Sequence, residues 1–224
     1  MEESTLLHEL QVLNSIYCFL AEIDSYYSLI WCICFTICTL ITILPIIFIE
    51  IFSPSNVEFH VTETSLTQFN LTNNNTMYFN FKVNITARNP NKNTIVYYRR
   101  ITAIAWYKDN DFAYVSLTPF DQGKKNTSLL QTAVFQGSSV IKLKPRQLAE
   151  YYAETRAGVY NDLAVDLDMR VRYKYGRMKS TRFNPPIVQC RLRVPLISNG
   201  TSISSFNDTE CSNSYFFADR DAGD

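Results

Sequence analysis

Few side chains in this sequence combine the types and spacings that catalysis needs. There are two histidines, His8 and His60. Only His60 lies in the long C-terminal region, so any Ser-His-Asp or Cys-His relay there would have to be built around it. A lone histidine on an alternating segment reads as a surface residue instead. Zinc requires three or four clustered His, Cys or carboxylate ligands, and no His/Cys spacing supplies them. Six glycines are scattered, none in a GxGxxG or GxxxxGKS frame that would cradle a phosphate. Asp109/Asp111 and Asp166/Asp168 have a spacing compatible with acid/base work or calcium. The first pair falls in a turn-prone cluster, where Asp bonds local backbone, and the second on the polar face of a strand beside Arg and Lys. The expectation is a non-enzymatic chain with no catalytic, metal-binding or cofactor-binding residues.

Two other kinds of covalent chemistry are legible. Asn70, Asn74, Asn84, Asn126, Asn199 and Asn207 each head an Asn-x-Ser/Thr triplet, the acceptor pattern for N-linked glycans. Of six cysteines, Cys18, Cys32, Cys34 and Cys38 precede residue 40, while Cys190 and Cys211 stand apart near the C-terminus. In an oxidising compartment the latter two invite one disulfide. The competing reading leaves Cys190 a buried free thiol, since it alternates in phase with apolar neighbours. Cys32, Cys34 and Cys38 are either sites of reversible palmitoylation or ordinary membrane-helix residues.

These residues are positioned by two very different elements. From Leu29 to Ile49 run 21 uncharged, mostly apolar residues. As a helix they reach roughly 31 Å, the thickness of a bilayer hydrocarbon core. The leader before them is long and acidic, and no small-residue cleavage site follows, so the run reads as a retained anchor rather than a secretory signal. The first basic side chain is Lys82, which leaves the positive-inside rule silent. The sequons stand in for it: all six lie after the run, which places the C-terminal part outside the cytosol. The expected organisation is a cytosolic tail over residues 1–28, a transmembrane helix over 29–52, a β-sandwich over 53–210 and a C-terminal tail over 211–224.

The net charge of zero conceals an asymmetry. All 21 basic side chains, but only 15 of the 21 acidic ones, lie in residues 51–224, a surplus of +6. A basic outer region favours anionic surfaces such as acidic polysaccharide or lipid headgroups, although interleaved acids fit a solvated mixed surface as well. Nucleic acid is not an expected partner, given the external location.

Beyond Pro54 the hydrophobic period shortens to two, the mark of half-buried strands. Val57, Phe59 and Val61 begin it. Met77, Phe79, Phe81, Val83, Ile85 and Ala87 alternate with polar neighbours, as do Leu163 to Tyr175 and Val188 to Leu196. Shorter strands are expected near Ile101–Tyr107, Phe112–Leu117, Leu129–Phe135 and Val140–Leu143, with turns at Asp109-Asn110-Asp111 and Gln122-Gly123. Lys144–Tyr160 suits a short helix between strands. Leu6, Leu10, Leu13, Tyr17 and Leu20 are spaced for an amphipathic helix in the tail, and only the last dozen residues read as disordered. Seven or eight strands in one domain predict an all-β fold, a β-sandwich.

Several strings taken in order are similar to those of one family. They are Asn89-Pro90-Asn91-Lys92, Tyr97-Tyr98, Pro119-Phe120-Asp121-Gln122-Gly123-Lys124-Lys125-Asn126-Thr127, Phe135-Gln136-Gly137, and Val171-Arg172-Tyr173-Lys174 leading to Cys190-Arg191-Leu192. The chain resembles the plant NHL family, the non-race-specific disease resistance and harpin-induced-like proteins, whose outer part is a late-embryogenesis-abundant type 2 domain. The resemblance implies an immunoglobulin/fibronectin-like β-sandwich ectodomain on a type II single-pass anchor at the plasma membrane, linked to pathogen defence and stress response and not enzymatic. The acidic tail departs from the family pattern, which puts tail-dependent partners in doubt.

Together these features predict a membrane-anchored binding or signalling module in plant defence and stress response. Its expected partners are the membrane itself, cell-wall polysaccharide or membrane proteins, and its oligomeric state is not specified. The alternative is a protectant or lipid-contacting domain that stabilises membranes under dehydration, which would need an apolar cleft or rim.

Overall fold

A computed structural model describes residues 26–46, 53–197, 208–212 and 214–222. The amphipathic tail pattern, Cys18, Asn199 and Asn207 fall outside the described residues. Two compact units divide the chain, Met1–Ser53 and Pro54–Asp224.

In the first unit one helix, α1 (Tyr26–Ile46), is long and apolar enough to cross a membrane. It begins three residues before the apolar run. Thr36, Thr39 and Thr42 return their hydroxyls to carbonyls three or four residues back, so the only polar side groups along its middle are satisfied within the helix. Trp31, Phe35, Ile41 and Leu44 are well exposed, as expected of a surface awaiting lipid.

The second unit is built from two antiparallel sheets. One contains β1 (Glu58–Leu71), β2 (Thr76–Arg88), β6 (Thr127–Leu129), β7 (Ala133–Val140) and β11 (Thr209–Glu210). β2 is central, with β1 on one side and β7 then β6 sharing the other. The second sheet contains β3 (Thr94–Tyr107), β4 (Asn110–Leu117), β5 (Phe120–Gln122), β8 (Val159–Tyr175), β9 (Met178–Lys179) and β10 (Val188–Pro195). There β3 pairs along its full length with Leu163–Tyr175 of β8, and β10 and β4 flank them. The arrangement is a sandwich of two antiparallel sheets, as the alternation predicts.

The four clearest expected strands appear as β1, β2, β8 and β10, and their inward residues form one core that includes Phe59, Phe81, Met169 and Val194. Differences arise where the period breaks. β1 carries bulges at Val61/Glu63 and Leu66/Gln68, so its inward residues run Val61, Leu66, Phe69 and no simple alternation survives. The stretch expected as one strand from Leu129 to Phe135 is split into β6 and β7, because Leu130 turns inward between them, its amide still donating to the Ile85 carbonyl of β2 at 2.8 Å. The segment Val140–Leu143 is only the end of β7 and a loop.

Helix α2 (Pro145–Ala157) is bounded by local signals. Pro145 occupies its first turn, the Gln147 side chain accepts from the Lys144 amide at 2.9 Å, and Gly158 closes it in the left-handed region at φ 68°. Tyr151 and Glu154 are its buried face.

The expected disordered tail is a correction, since Cys211 and Phe216 belong to the core. Thr209 and Glu210 pair with β1, while Ser212 exchanges bonds with Gln189 of β10, so this short segment steps from one sheet to the other. The Phe216 amide donates to Asn56 at 2.9 Å, and its ring lies 5.8 Å from Phe59 and 6.3 Å from Tyr98. The sandwich therefore does not end at residue 210; a sequence ending in Arg, Asp and Gly concealed one fully buried aromatic. Replacing Phe216 with Ala is expected to cost about 3–4 kcal/mol, as for other buried Phe truncations. Urea unfolding of the full chain in a neutral detergent, followed by tyrosine fluorescence, measures it.

Candidate functional site

Three of the motif strings converge on one buried polar cluster. Asn89 and Gln122 have no exposed surface, and Asn91 almost none. The Asn89 side-chain amide donates to the carbonyls of Thr94 at 2.8 Å and Gly123 at 2.9 Å, and its oxygen accepts from the Asn91 backbone at 3.1 Å. Asn91 in turn holds Ser55 from both sides, donating to its carbonyl and accepting from its amide, each at 2.7 Å. Gln122 donates to Ala87 at 2.7 Å and to the Asn126 carbonyl at 3.0 Å, while the Tyr98 hydroxyl donates back to it at 3.0 Å. Burial pushes the Tyr98 phenol far above its ordinary value, so it remains a donor. Tyr98 also stacks on Phe120, with centroids 4.4 Å apart. Because Ala87 belongs to one sheet and Tyr98 to the other, Gln122 binds the sheets together. Pro90 and Pro119 introduce the turns that bring these amides inward, while Lys92 is exposed. In the fourth string Phe135 stacks on Phe81 at 5.9 Å, Gln136 faces out opposite Asn80, and Gly137 at φ 149° sits opposite Phe79.

A second cluster was not read from the sequence. The β3–β4 turn is Lys108-Asp109, not Asp109-Asn110-Asp111, and both residues have positive φ, 46° and 66°. A two-residue hairpin turn of this kind ordinarily uses Asn-Gly. Here the buried Lys108 ammonium is held by Glu150 at 2.9 Å, Asp162 at 3.1 Å and Glu154 at 3.4 Å. Burial alone would lower the Lys108 pKa, but hydrogen bonds to Glu150 and Asp162 and the charge of Glu154 outweigh it and hold it above the usual value. Glu154 also accepts from the Tyr107 hydroxyl at 2.7 Å. Burial, reinforced by this bond, raises the Tyr107 pKa strongly. The Glu150 carboxyl is held down by Lys108 and then Arg146.

Beside this cluster lies a half-open groove of about 730 Å³, lined among others by Trp106, Asp109, Gln147, Asp166, Gln189 and Arg191. The Trp106 indole nitrogen is buried without a hydrogen-bond partner among the described residues. Burial raises the Asp166 pKa, partly opposed by Arg191. The lining offers amides, both signs of charge and one indole, which is recognition chemistry rather than a nucleophile with its base. A second cleft of about 390 Å³ opens between β4 and β7, lined by Phe79, Phe112, Val115 and Phe135.

The remaining expected residues are dispersed. Asn70, Asn74 and Asn126 are exposed, and Asn84 is half-buried, donating to Glu63 at 2.8 Å and accepting from Thr132 at 2.7 Å. Asn70 lies on β1 and Asn84 on β2, while Asn74 is in the loop between them and Asn126 on the connection from β5 into β6. The strands of the β3/β8 sheet carry none. Cys190 and Cys211 are joined by a disulfide. Cys32, Cys34 and Cys38 are exposed free thiols on α1. His60 faces Asp208 at 3.9 Å on a partly exposed strand, and Asp109, Asp111, Asp166 and Asp168 do not gather. No group of three or more His, Cys, Asp or Glu able to hold a metal occurs among the described residues.

Comparison with known proteins places these features in context. A family model for the late embryogenesis abundant protein domain matches residues 84–190. The chain is 41% identical to NDR1/HIN1-like protein 10 of Arabidopsis thaliana over 174 residues, 75% of this chain and 76% of that one. It is 36% identical to NDR1/HIN1-like protein 3 of the same plant, over 82% of this chain and 79% of that one. With NDR1/HIN1-like protein 2 the identity is 30%, over 72% and 67%.

Two outcomes follow from the clusters. Gln122→Leu strands the Tyr98 hydroxyl and the Ala87 carbonyl and is expected to lower stability by about 2–3 kcal/mol, measured by urea unfolding. The Lys108 cluster gives a pH window. The raised Lys108 pKa contributes stability that is complete below 10.5 and fades as pH rises through the higher folded value. The lowered Glu150 pKa contributes stability present above 4.5 and lost as pH falls through the lower folded value. Melting temperature against pH should show both flanks, and Lys108→Met should flatten both while costing about 3 kcal/mol between them.

Proposed function

This chain belongs to the NDR1/HIN1-like family, and from that premise we propose that it is a membrane-anchored, non-enzymatic binding module acting in plant defence and stress response. The helix α1 serves as its anchor, in a single-pass topology at the plasma membrane with the sandwich outside the cell. The observation that carries this reading is the one-sided placement of the acceptor asparagines. Asn70 and Asn84 lie on strands of the β1/β2 sheet, Asn74 in the loop joining those strands and Asn126 on the connection that leads into β6, and glycans there would shield that side. The β3/β8 sheet is left open to a partner. The disulfide between Cys190 and Cys211 fits the same external, oxidising location.

A second reading, lipid contact, is favoured by the cleft between β4 and β7, where Phe79, Phe112, Val115 and Phe135 offer an apolar wall beside the polar Gln136, Ser138 and Ser139. Co-purification of lipid with the full chain, lost in a Val115→Asp variant, would mark it.

The leading reading is tested in plant cells. Treatment of the full chain with a glycosidase should lower its apparent mass. Protease added to intact vesicles should leave the sandwich protected while removing an N-terminal tag. Loss of the gene should alter responses to pathogen or stress. An unglycosylated chain with an accessible sandwich would sink the reading.

A further inference from the structure

The two sheets differ in charge as sharply as in sequons. On the outer face of the β1/β2 sheet the strands present Lys82 and Arg88 with Glu58, Glu63 and Glu210. On the outer face of the β3/β8 sheet, β8 presents Asp166 and Asp168 and then Arg170, Arg172 and Lys174 at alternate positions, the three cations forming a ladder that spans roughly 13 Å. Arg99 and Arg100 of β3 and Lys179 of β9 continue it sideways.

Registration makes this concentration costly. Arg100 lies directly opposite Arg170, and Lys174 directly opposite Lys179. Like charges in facing positions of a sheet repel and destabilise it. The nearby acids are already occupied. Asp168 accepts from Arg100 at 3.2 Å and Arg220 at 3.1 Å, Asp121 pairs with Arg99 at 3.0 Å, and Asp221 pairs with Arg220 at 3.5 Å and with Asn184 at 2.6 Å. Arg172 spends one nitrogen on the Ser180 carbonyl. Arg170, Lys174 and Lys179 enter no ion pair among the described residues. Repulsion retained on an exposed face, in a fold whose buried Lys108 is matched by three carboxylates, marks a surface shaped for something outside it.

We propose that this ladder binds an acidic polysaccharide, a linear polymer of carboxylate-bearing sugars laid along β8. This rests on the reading of the β3/β8 sheet as the open binding face and names its partner. The occupant must be anionic to relieve facing cations, and flat and extended to follow a strand without a pocket. Tyr97, opposite Arg172, adds an aromatic ring beside the ladder. Anionic lipid fits less well, because strong negative surface potential belongs to the cytoplasmic leaflet and the sandwich faces away from it.

The test uses the full chain in neutral detergent, with polygalacturonate as probe and its methyl-esterified form as the uncharged control. Binding to polygalacturonate that weakens with salt and is absent for the ester is expected. The double variant Arg170→Gln/Lys174→Gln should bind roughly tenfold or more weakly. It should also melt at the same or a higher temperature, since it removes one member of each facing pair. Lys82→Gln on the opposite sheet should bind as the parent does. Unchanged affinity in the double variant, equal binding of the ester, a lowered melting temperature, or capture by vesicles of 30% phosphatidylserine with none by the polymer each overturns the inference. Those outcomes leave the binding-module reading standing, because its own failure shows in the glycosidase and protease experiments.

Discussion

Two apolar sheets pressed together hold well against separation but poorly against sliding, because hydrophobic contact is non-directional. The side-chain amide of Gln122 supplies the missing direction. It joins Ala87 of one sheet to Tyr98 of the other, and Asn89 and Asn91 extend the same net to the first residues of the sandwich. Every polar atom of these three amides is used, so the burial that makes an unpaired amide costly makes this arrangement nearly unique. With that alignment fixed, the registers of β3 and β8 bring the outer-face cations opposite one another.

The Lys108 cluster does comparable work at the other end of β3. A lysine in a left-handed turn is unfavourable in backbone terms, and a buried ammonium is unfavourable in solvation terms. Glu150 and Glu154 from α2 and Asp162 from β8 offset both by gathering on it. The helix is thereby fastened to the hairpin, and the wall of the Trp106 groove takes its shape from the same contacts.

How much of this was legible depended on whether the signal was periodic. The alternation from Met77 to Ala87 located β2, and that from Leu163 to Tyr175 located β8, because each strand buries one face without interruption. β1 was seen only at its start, since two bulges shift its inward residues out of phase. Lys108 looked like any surface lysine; nothing local distinguishes a cation whose three carboxylates lie more than forty positions away. Phe216 was hidden in the same way, within a polar tail. Gln122-Gly123 was expected as a turn, but the burial of the motif amides depends on long-range pairing and was not legible. Which sequons share a sheet likewise emerges only from topology, although each triplet was plain in the sequence.

The clamp on Ser55 has a mechanical meaning. Any pull transmitted along the chain from its N-terminal side enters the sandwich at Pro54. It meets at once the paired 2.7 Å bonds between Ser55 and Asn91, then the bond from Phe216 to Asn56. These bonds divert load into the interior and across to the last segment of the chain, so β1 is not the first element to be peeled. Under the proposed anchoring by α1, the motif amides would act as a strain relief at the point where the chain enters the fold.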